Sequence, residues 1–108
     1  MKRVVVTGLG AITPLGNTVS EFWNNIVAGK SGAAAITKFD TSKFKTNFAA
    51  EVKDFDVEAY IDKKEVKKYD LYTQYAIAAS DQAIKHAGLD FENMPENERQ
   101  CSDQIGGW

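Results

Sequence analysis

The sequence predicts an α/β chain with one core strand and two long helices, too few elements to close a sheet of their own. Three observations carry this. Residues 4–7, "VVVT", are β-branched throughout and run straight into a glycine-studded turn. Two later segments each carry a helix-start signal, an apolar helical period and a terminal glycine. The best other strand candidate, "FAAEV" at residues 48–52, is short. A strand apolar on both faces belongs inside a parallel or mixed sheet and needs neighbours on each side. Those neighbours are expected downstream, in a larger fold.

The first helix starts after Thr18. Thr18 and Glu21 have capping-box spacing, in which the hydroxyl accepts from a free backbone N–H and the carboxylate reaches back to the cap. Val19, Phe22, Trp23, Ile26 and Val27 then recur at helical spacing, and Gly29 is placed to end the helix. Residues 30–61 read as mostly loop. A second helix is predicted from Asp62, boxed with Glu65, to Ala87, with Gly88 as its stop. Tyr69, Tyr72, Ala76, Ala79, Ala83 and Ala87 share one side of it. The alanines let another backbone approach closely. Residues 89–100 form an acidic, polar loop containing Pro95.

Composition removes several classes of function. The 108 residues carry 13 basic and 15 acidic side chains, a net charge of −2. That balance gives no general attraction for nucleic acid or a membrane surface. With 44% hydrophobic and 11% aromatic residues the chain is globular in composition. No run approaches the roughly 20 apolar residues of a membrane span. The three valines after Met-Lys-Arg are too short a run for a signal peptide. One cysteine, Cys101, makes no internal disulfide, and a soluble, cytoplasmic protein is expected.

The turn after residues 4–7 invites a nucleotide-binding reading, which the spacing disfavours. Gly8 and Gly10 supply half of a dinucleotide fingerprint, but its third glycine would fall at Thr13. Pro14 biases Thr13 away from helical geometry, and the helix begins too late to meet a phosphate. No Gly-Lys-Ser/Thr follows, so a P-loop fails as well. The better reading is a strand that ends in a tight loop whose glycines allow close backbone packing.

The order of motifs nevertheless resembles a known family. "RVVVTGLGAITPLGN", "EFW", "GKSG", "FDTSKFKTNFAAEVKDFD" and "YIDKKEVKKYDLYTQYAIAASDQAIKHAGL" are similar to the amino terminus of β-ketoacyl-acyl-carrier-protein synthases, over residues 1–92. The likeness is to the type II condensing enzymes of bacterial fatty acid synthesis. It implies the thiolase-like fold, layered α/β/α/β/α in the full protein, of which residues 1–108 are the incomplete first part of the N-terminal domain. It also implies decarboxylative Claisen condensation of a malonyl-carrier protein with an acyl-enzyme, and a homodimer. No redox cofactor or metal is implied. The family's nucleophilic cysteine, two histidines and lysine match no position here, so no catalytic residue is expected in this chain. The tail "CSDQIGGW" departs from the family's strand and glycine-serine-glycine loop, with Ile105, Gly106 and Gly107 as an echo.

One binding site is expected within the chain. Lys63, Lys64, Lys67 and Lys68 fall in the first two turns of the predicted second helix. Lys64, Lys67 and Lys68 share a face there, at a helix start where cations are disfavoured. Read from charge alone, they are a solvated face. The resemblance implies that basic residues at these three positions contact the acidic recognition helix of acyl carrier protein, with lysine standing where relatives carry arginine at position 67. Cys101, in a polar "RQCSDQ" setting, reads as an ordinary loop thiol, and His86 as a helix-end histidine. Two other readings stay open: a ketosynthase of polyketide or specialised lipid synthesis, and a non-catalytic carrier-protein-binding module.

Overall fold

The computed structural model describes residues 2–93, so the readings at Pro95, Cys101 and residues 105–107 lie outside the described residues. In chain order the elements are α1 (Val19–Val27), β1 (Ala33–Ala35), β2 (Phe48–Ala50), a 3₁₀ turn (Val57–Ala59), α2 (Lys63–Val66) and α3 (Leu71–Ala87). The two strands form an antiparallel pair in which Ala33 faces Ala50, Ala34 faces Ala49 and Ala35 faces Phe48.

α1 forms as its sequence signals dictate. The Thr18 hydroxyl accepts from the amide of Glu21 at 3.2 Å. The Glu21 carboxylate reaches back one residue further than expected and accepts from the amide of Asn17 at 3.1 Å. At the other end Gly29, at φ 72°, donates to the Ile26 carbonyl while Lys30 donates to that of Asn25. This is the Schellman pattern, which satisfies carbonyls that the helix leaves free. The same two bonds close α3, from Gly88 to Lys85 and from Leu89 to Ile84.

Three expectations are corrected. The first is the continuous helix from Asp62 to Ala87, which is two helices. Lys67 closes α2, and Asp70 precedes α3 with extended dihedrals, φ −66° and ψ 159°. The Gln74 side chain makes the break tenable. Its amide group donates to the carbonyls of Val66 at 3.2 Å and Tyr69 at 3.1 Å, two groups that a continuous helix would have satisfied itself. Neither carboxylate of the expected second capping box completes it. Asp62 accepts from the Lys64 amide, and Glu65 turns to Lys68.

The second correction concerns residues 30–61, which contain β1 as well as β2. An alanine triplet has no hydrophobic period, so the pattern gave no strand signal there. The hairpin is held from outside the ladder. Ile36 donates to the Asn47 carbonyl at 3.0 Å, and the Glu51 carboxylate accepts from both the amide and the hydroxyl of Thr37 at 3.1 Å.

The third correction is the strand at residues 4–7. It has no ladder partner among the described residues, and Val4 is 96% and Val6 79% exposed. What does form is the close packing that the glycines and alanines predicted. Gly8 lies against Ala83 and Ala87, and Gly10 against Ala79 and Ala83. A β-carbon on Gly10 would overlap the Ala79 carbonyl, and one on Gly8 the Ala83 carbonyl. The alanine face is therefore real at positions 79, 83 and 87. It fails at Tyr72 and Ala76, which share that stripe of α3 but are exposed, while Tyr75 is half-buried and Ala78 fully buried.

The interior is small. Ile61 and the fully buried Ala78 are the buried apolar residues among those described. Phe55 stacks on Tyr60 with ring centres 6.1 Å apart and meets Tyr75 edge-on at 5.0 Å.

Two outcomes follow from this packing. Gly10→Val drives its side chain into α3 backbone, so the segment must lift away. A loss of about 1–3 kcal/mol in denaturant unfolding is expected, as for other overpacked contacts, with amide protection at Leu9 and Ala11 lost first. The Glu51 carboxyl is held below the ordinary glutamate range, chiefly by the Thr37 amide. A depressed carboxylate stabilises above its unfolded pKa and loses that contribution as pH falls through the folded one. The Thr37 amide resonance should therefore shift on acidification below the ordinary glutamate range, and Glu51→Gln should abolish that shift.

Candidate functional site

The lysine segment occupies α2 and the turn that follows. Lys63, Lys64, Lys67 and Lys68 are all exposed. The break after Lys67 changes their geometry. Lys64 lies within α2, Lys67 closes it, and Lys68 stands in the turn before Asp70. The three therefore do not occupy one uninterrupted helix face. Lys67 and Lys68 also sit at the C-terminal end of a short helix, where a cation is not disfavoured. The electrostatic cost expected from the sequence does not apply to them.

Acidic residues are interleaved with the lysines. Lys68 pairs with Glu65 at 3.1 Å, an exposed pair three residues apart. Such a pair contributes little to stability, about 0–1 kcal/mol. Among the described residues, Lys64 and Lys67 make no ion pair. The segment presents a modest positive field from flexible, solvated side chains rather than a preformed charged pocket.

A polar cleft of about 300 Å³ lies elsewhere, bounded by the turn at residues 13–17, by Glu21 and Asn25 of α1, and by Lys30, Ser31, Lys53 and Asp54. Thr13 builds the turn. Its hydroxyl donates to the Gly16 carbonyl at 2.9 Å and accepts from the amides of Leu15 and Gly16. The Asn17 side chain donates to the Lys53 carbonyl at 2.8 Å, and the Asn25 side chain to the Leu15 carbonyl. Asp54 holds φ 54°, unusual for a residue with a side chain. These bonds are spent on holding the turn, the α1 start and the 53–54 bend together.

Gln82 is the residue that sequence reasoning missed. Its carbonyl oxygen accepts from the Ala11 amide at 3.1 Å. Its nitrogen donates to the Asn17 carbonyl at 2.6 Å and the Tyr60 hydroxyl at 2.9 Å. One side chain thus joins α3 to the glycine segment, the α1 entry and the 3₁₀ turn. Nothing in the sequence marks it beyond its place beside Ala79 and Ala83. His86, expected as a plain helix-end residue, accepts from the Leu9 amide through Nδ1 at 3.0 Å. Among the described residues no cluster of three His, Cys, Asp or Glu could hold a metal ion, and no helix is long and apolar enough to cross a membrane.

The profile of the β-ketoacyl synthase N-terminal domain matches residues 1–107. The chain belongs to the β-ketoacyl synthase family. It is 47% identical over 105 residues to 3-oxoacyl-[acyl-carrier-protein] synthase 2 of Vibrio cholerae serotype O1, covering 97% of this chain and 25% of that one. Against the protein of the same name from Staphylococcus aureus strain COL, identity is 45% over 107 residues, 99% of this chain and 24% of the relative. Among solved structures, the ishigamide ketosynthase/chain length factor superposes with a TM-score of 0.76 at 39% identity, covering 85% of this chain and 23% of that one. The ketosynthase AntDE, solved with its type II polyketide acyl carrier protein AntF and bound to the hexaketide, gives 0.66 at 30% identity, over 88% and 23%. The fold is thus that of the thiolase-like ketosynthases, and the chain spans about a quarter of the length of these relatives.

Proposed function

We propose that this chain is the amino-terminal quarter of a 3-oxoacyl-[acyl-carrier-protein] synthase of fatty acid biosynthesis. The observation that carries the reading is identity of 43–47% across nearly the whole chain to curated relatives of that name. The whole enzyme is an acyltransferase that condenses a malonyl-carrier protein with an acyl-enzyme, losing carbon dioxide, and it acts as a cytoplasmic homodimer. Residues 1–108 form the first part of its N-terminal domain. The exposed valines at positions 4–6 and the outward apolar strip of α1 support this division, because both are surfaces that the rest of a layered fold would cover.

Within this division of labour the chain contributes scaffold and a landing site, not the reacting groups. Lys64, Lys67 and Lys68 form part of the surface that meets the acidic helix of acyl carrier protein. Their exposure and the ease with which Lys68 can exchange Glu65 for a partner carboxylate support this. A second reading, a ketosynthase of polyketide synthesis, is favoured by the solved neighbour captured with a type II polyketide carrier protein. Chain-length analysis of the products of the full-length enzyme separates the two.

Two experiments test the proposal. Incubated with acyl- and malonyl-carrier protein, the 108-residue chain should yield no 3-oxoacyl product. Turnover abolished by Cys101→Ala would place the nucleophile here and overturn the division of labour. In a full-length synthase carrying this amino terminus, Lys64→Glu, Lys67→Glu and Lys68→Glu together should weaken carrier-protein binding by at least about tenfold at low salt. The effect should shrink as salt rises, while acylation by a carrier-free thioester stays unchanged. Wild-type rates with acyl-carrier protein at low salt would leave the lysines a solvated face.

A further inference from the structure

Two anchors tie the amino-terminal segment to α3 through side chains, and they differ in chemistry. The Ala11 amide donates to the carboxamide of Gln82, which has no proton to gain in the physiological range. The Leu9 amide, two residues away, donates to Nδ1 of His86 at 3.0 Å. A ring nitrogen accepts a hydrogen bond only while it is unprotonated. In the imidazolium both nitrogens are donors, and the Leu9 amide would then face an N–H instead of a lone pair.

From this geometry we propose that His86 is an acid-released latch: protonating its ring frees the segment around Leu9 from the end of α3, while Gln82 keeps hold of Ala11. The segment packed on this end of α3, residues 8–11, carries no ionisable side chain. On α3, Lys85 and Asp81 are bound to each other at 2.9 Å, and that contact holds the Lys85 ammonium above its ordinary range. The Tyr60 phenol near Lys85 is bonded to Gln82. Beyond the helix end, Asp90 is engaged by the Asn93 side chain and the Glu92 amide. The glycine contacts at positions 8 and 10 have no titratable component, so release is local. It loosens the tip between two fixed points and does not unfold the chain.

The latch is tested on the chain labelled with ¹⁵N-leucine and ¹⁵N-alanine, with the His86 ring followed in the same pH series. The Leu9 amide should shift with the midpoint of the ring, and its hydrogen-exchange protection, corrected for the intrinsic rate, should fall about three- to tenfold on protonation, as expected for one exposed hydrogen bond. The Ala11 amide should not follow the ring. His86→Asn keeps an acceptor near the Nδ1 position and cannot titrate, so in it the Leu9 response should vanish while protection at neutral pH is retained. A Leu9 amide that ignores the ring, including one at a random-coil position throughout, overturns the latch. So does a Leu9 response that persists in His86→Asn, or an Ala11 amide that moves in step with Leu9.

Discussion

Gly10 rests on the carbonyl of Ala79 with no room for a side chain between them, and Gly8 repeats the contact one helical turn along, at Ala83 and Ala87. Alongside the bonds from Asn17 to Lys53 and from Asn25 to Leu15, much of what holds the chain's first 20 residues to the remainder runs through this backbone-to-helix approach. It brings the Ala11 amide within reach of Gln82 and the Leu9 amide within reach of His86. Gln82 in turn fixes the Asn17 carbonyl, one residue before the cap of α1, and the hydroxyl of Tyr60, which carries the aromatic stack on Phe55. Small side chains on both partners are the condition for the whole arrangement, since a larger residue at either surface separates the elements before any of these bonds can form.

The packing that starts there does not extend far. Ala78 is fully covered and Ile61 nearly so, yet the valines at positions 4–6 and Trp23, Ile26 and Val27 of α1 keep much of their surface. The apolar residues of α1 share one wide face that is covered only in part. Val19 and Phe22 are half-buried, and Trp23, Ile26 and Val27 of the same face are exposed. A wide apolar helix face left partly uncovered calls for a further layer, and a β-branched segment with an unpaired backbone belongs inside a sheet. Both conditions would be met in a layered ketosynthase of the kind this chain matches over about a quarter of the relative's length.

Features that depend on a few neighbouring residues were legible in the sequence. Thr18 as a cap, Gly29 and Gly88 as stops, and the fit of glycines to alanines could all be read because each has a local steric or hydrogen-bonding cause. The alternation of apolar residues could not show that the helix breaks at residues 67–70. That depends on Gln74 reaching back to the carbonyls of Val66 and Tyr69, a long-arm contact without a periodic signature. β1 was invisible for a related reason, since three alanines pair with β2 without any preference of their own for a strand. Residues 4–7 look like a strand because of their side chains, but a strand is a property of two chains in register. The lysines were legible as charge, and their arrangement was not, because it inherits the unseen break.

That break alters how the lysines should be understood. On a single long helix they would oppose the positive end of its dipole, and their placement would call for a compensating partner. On a four-residue α2 the dipole is slight, and Lys67 lies at the end that tolerates a cation. Four lysines among Asp62, Glu65 and Asp70 leave one net positive charge over residues 62–70. The segment's suitability for an acidic partner therefore rests on mobility and not on stored repulsion. Lys64 and Lys67 are solvated and uncommitted among the described residues, and Lys68 is engaged only in an exposed pair that another carboxylate can replace at little cost. A surface of this kind gives fast, salt-sensitive, readily reversible encounters. Under the proposed role as a landing site, that would suit a carrier protein that must arrive, deliver its acyl group and leave on every cycle.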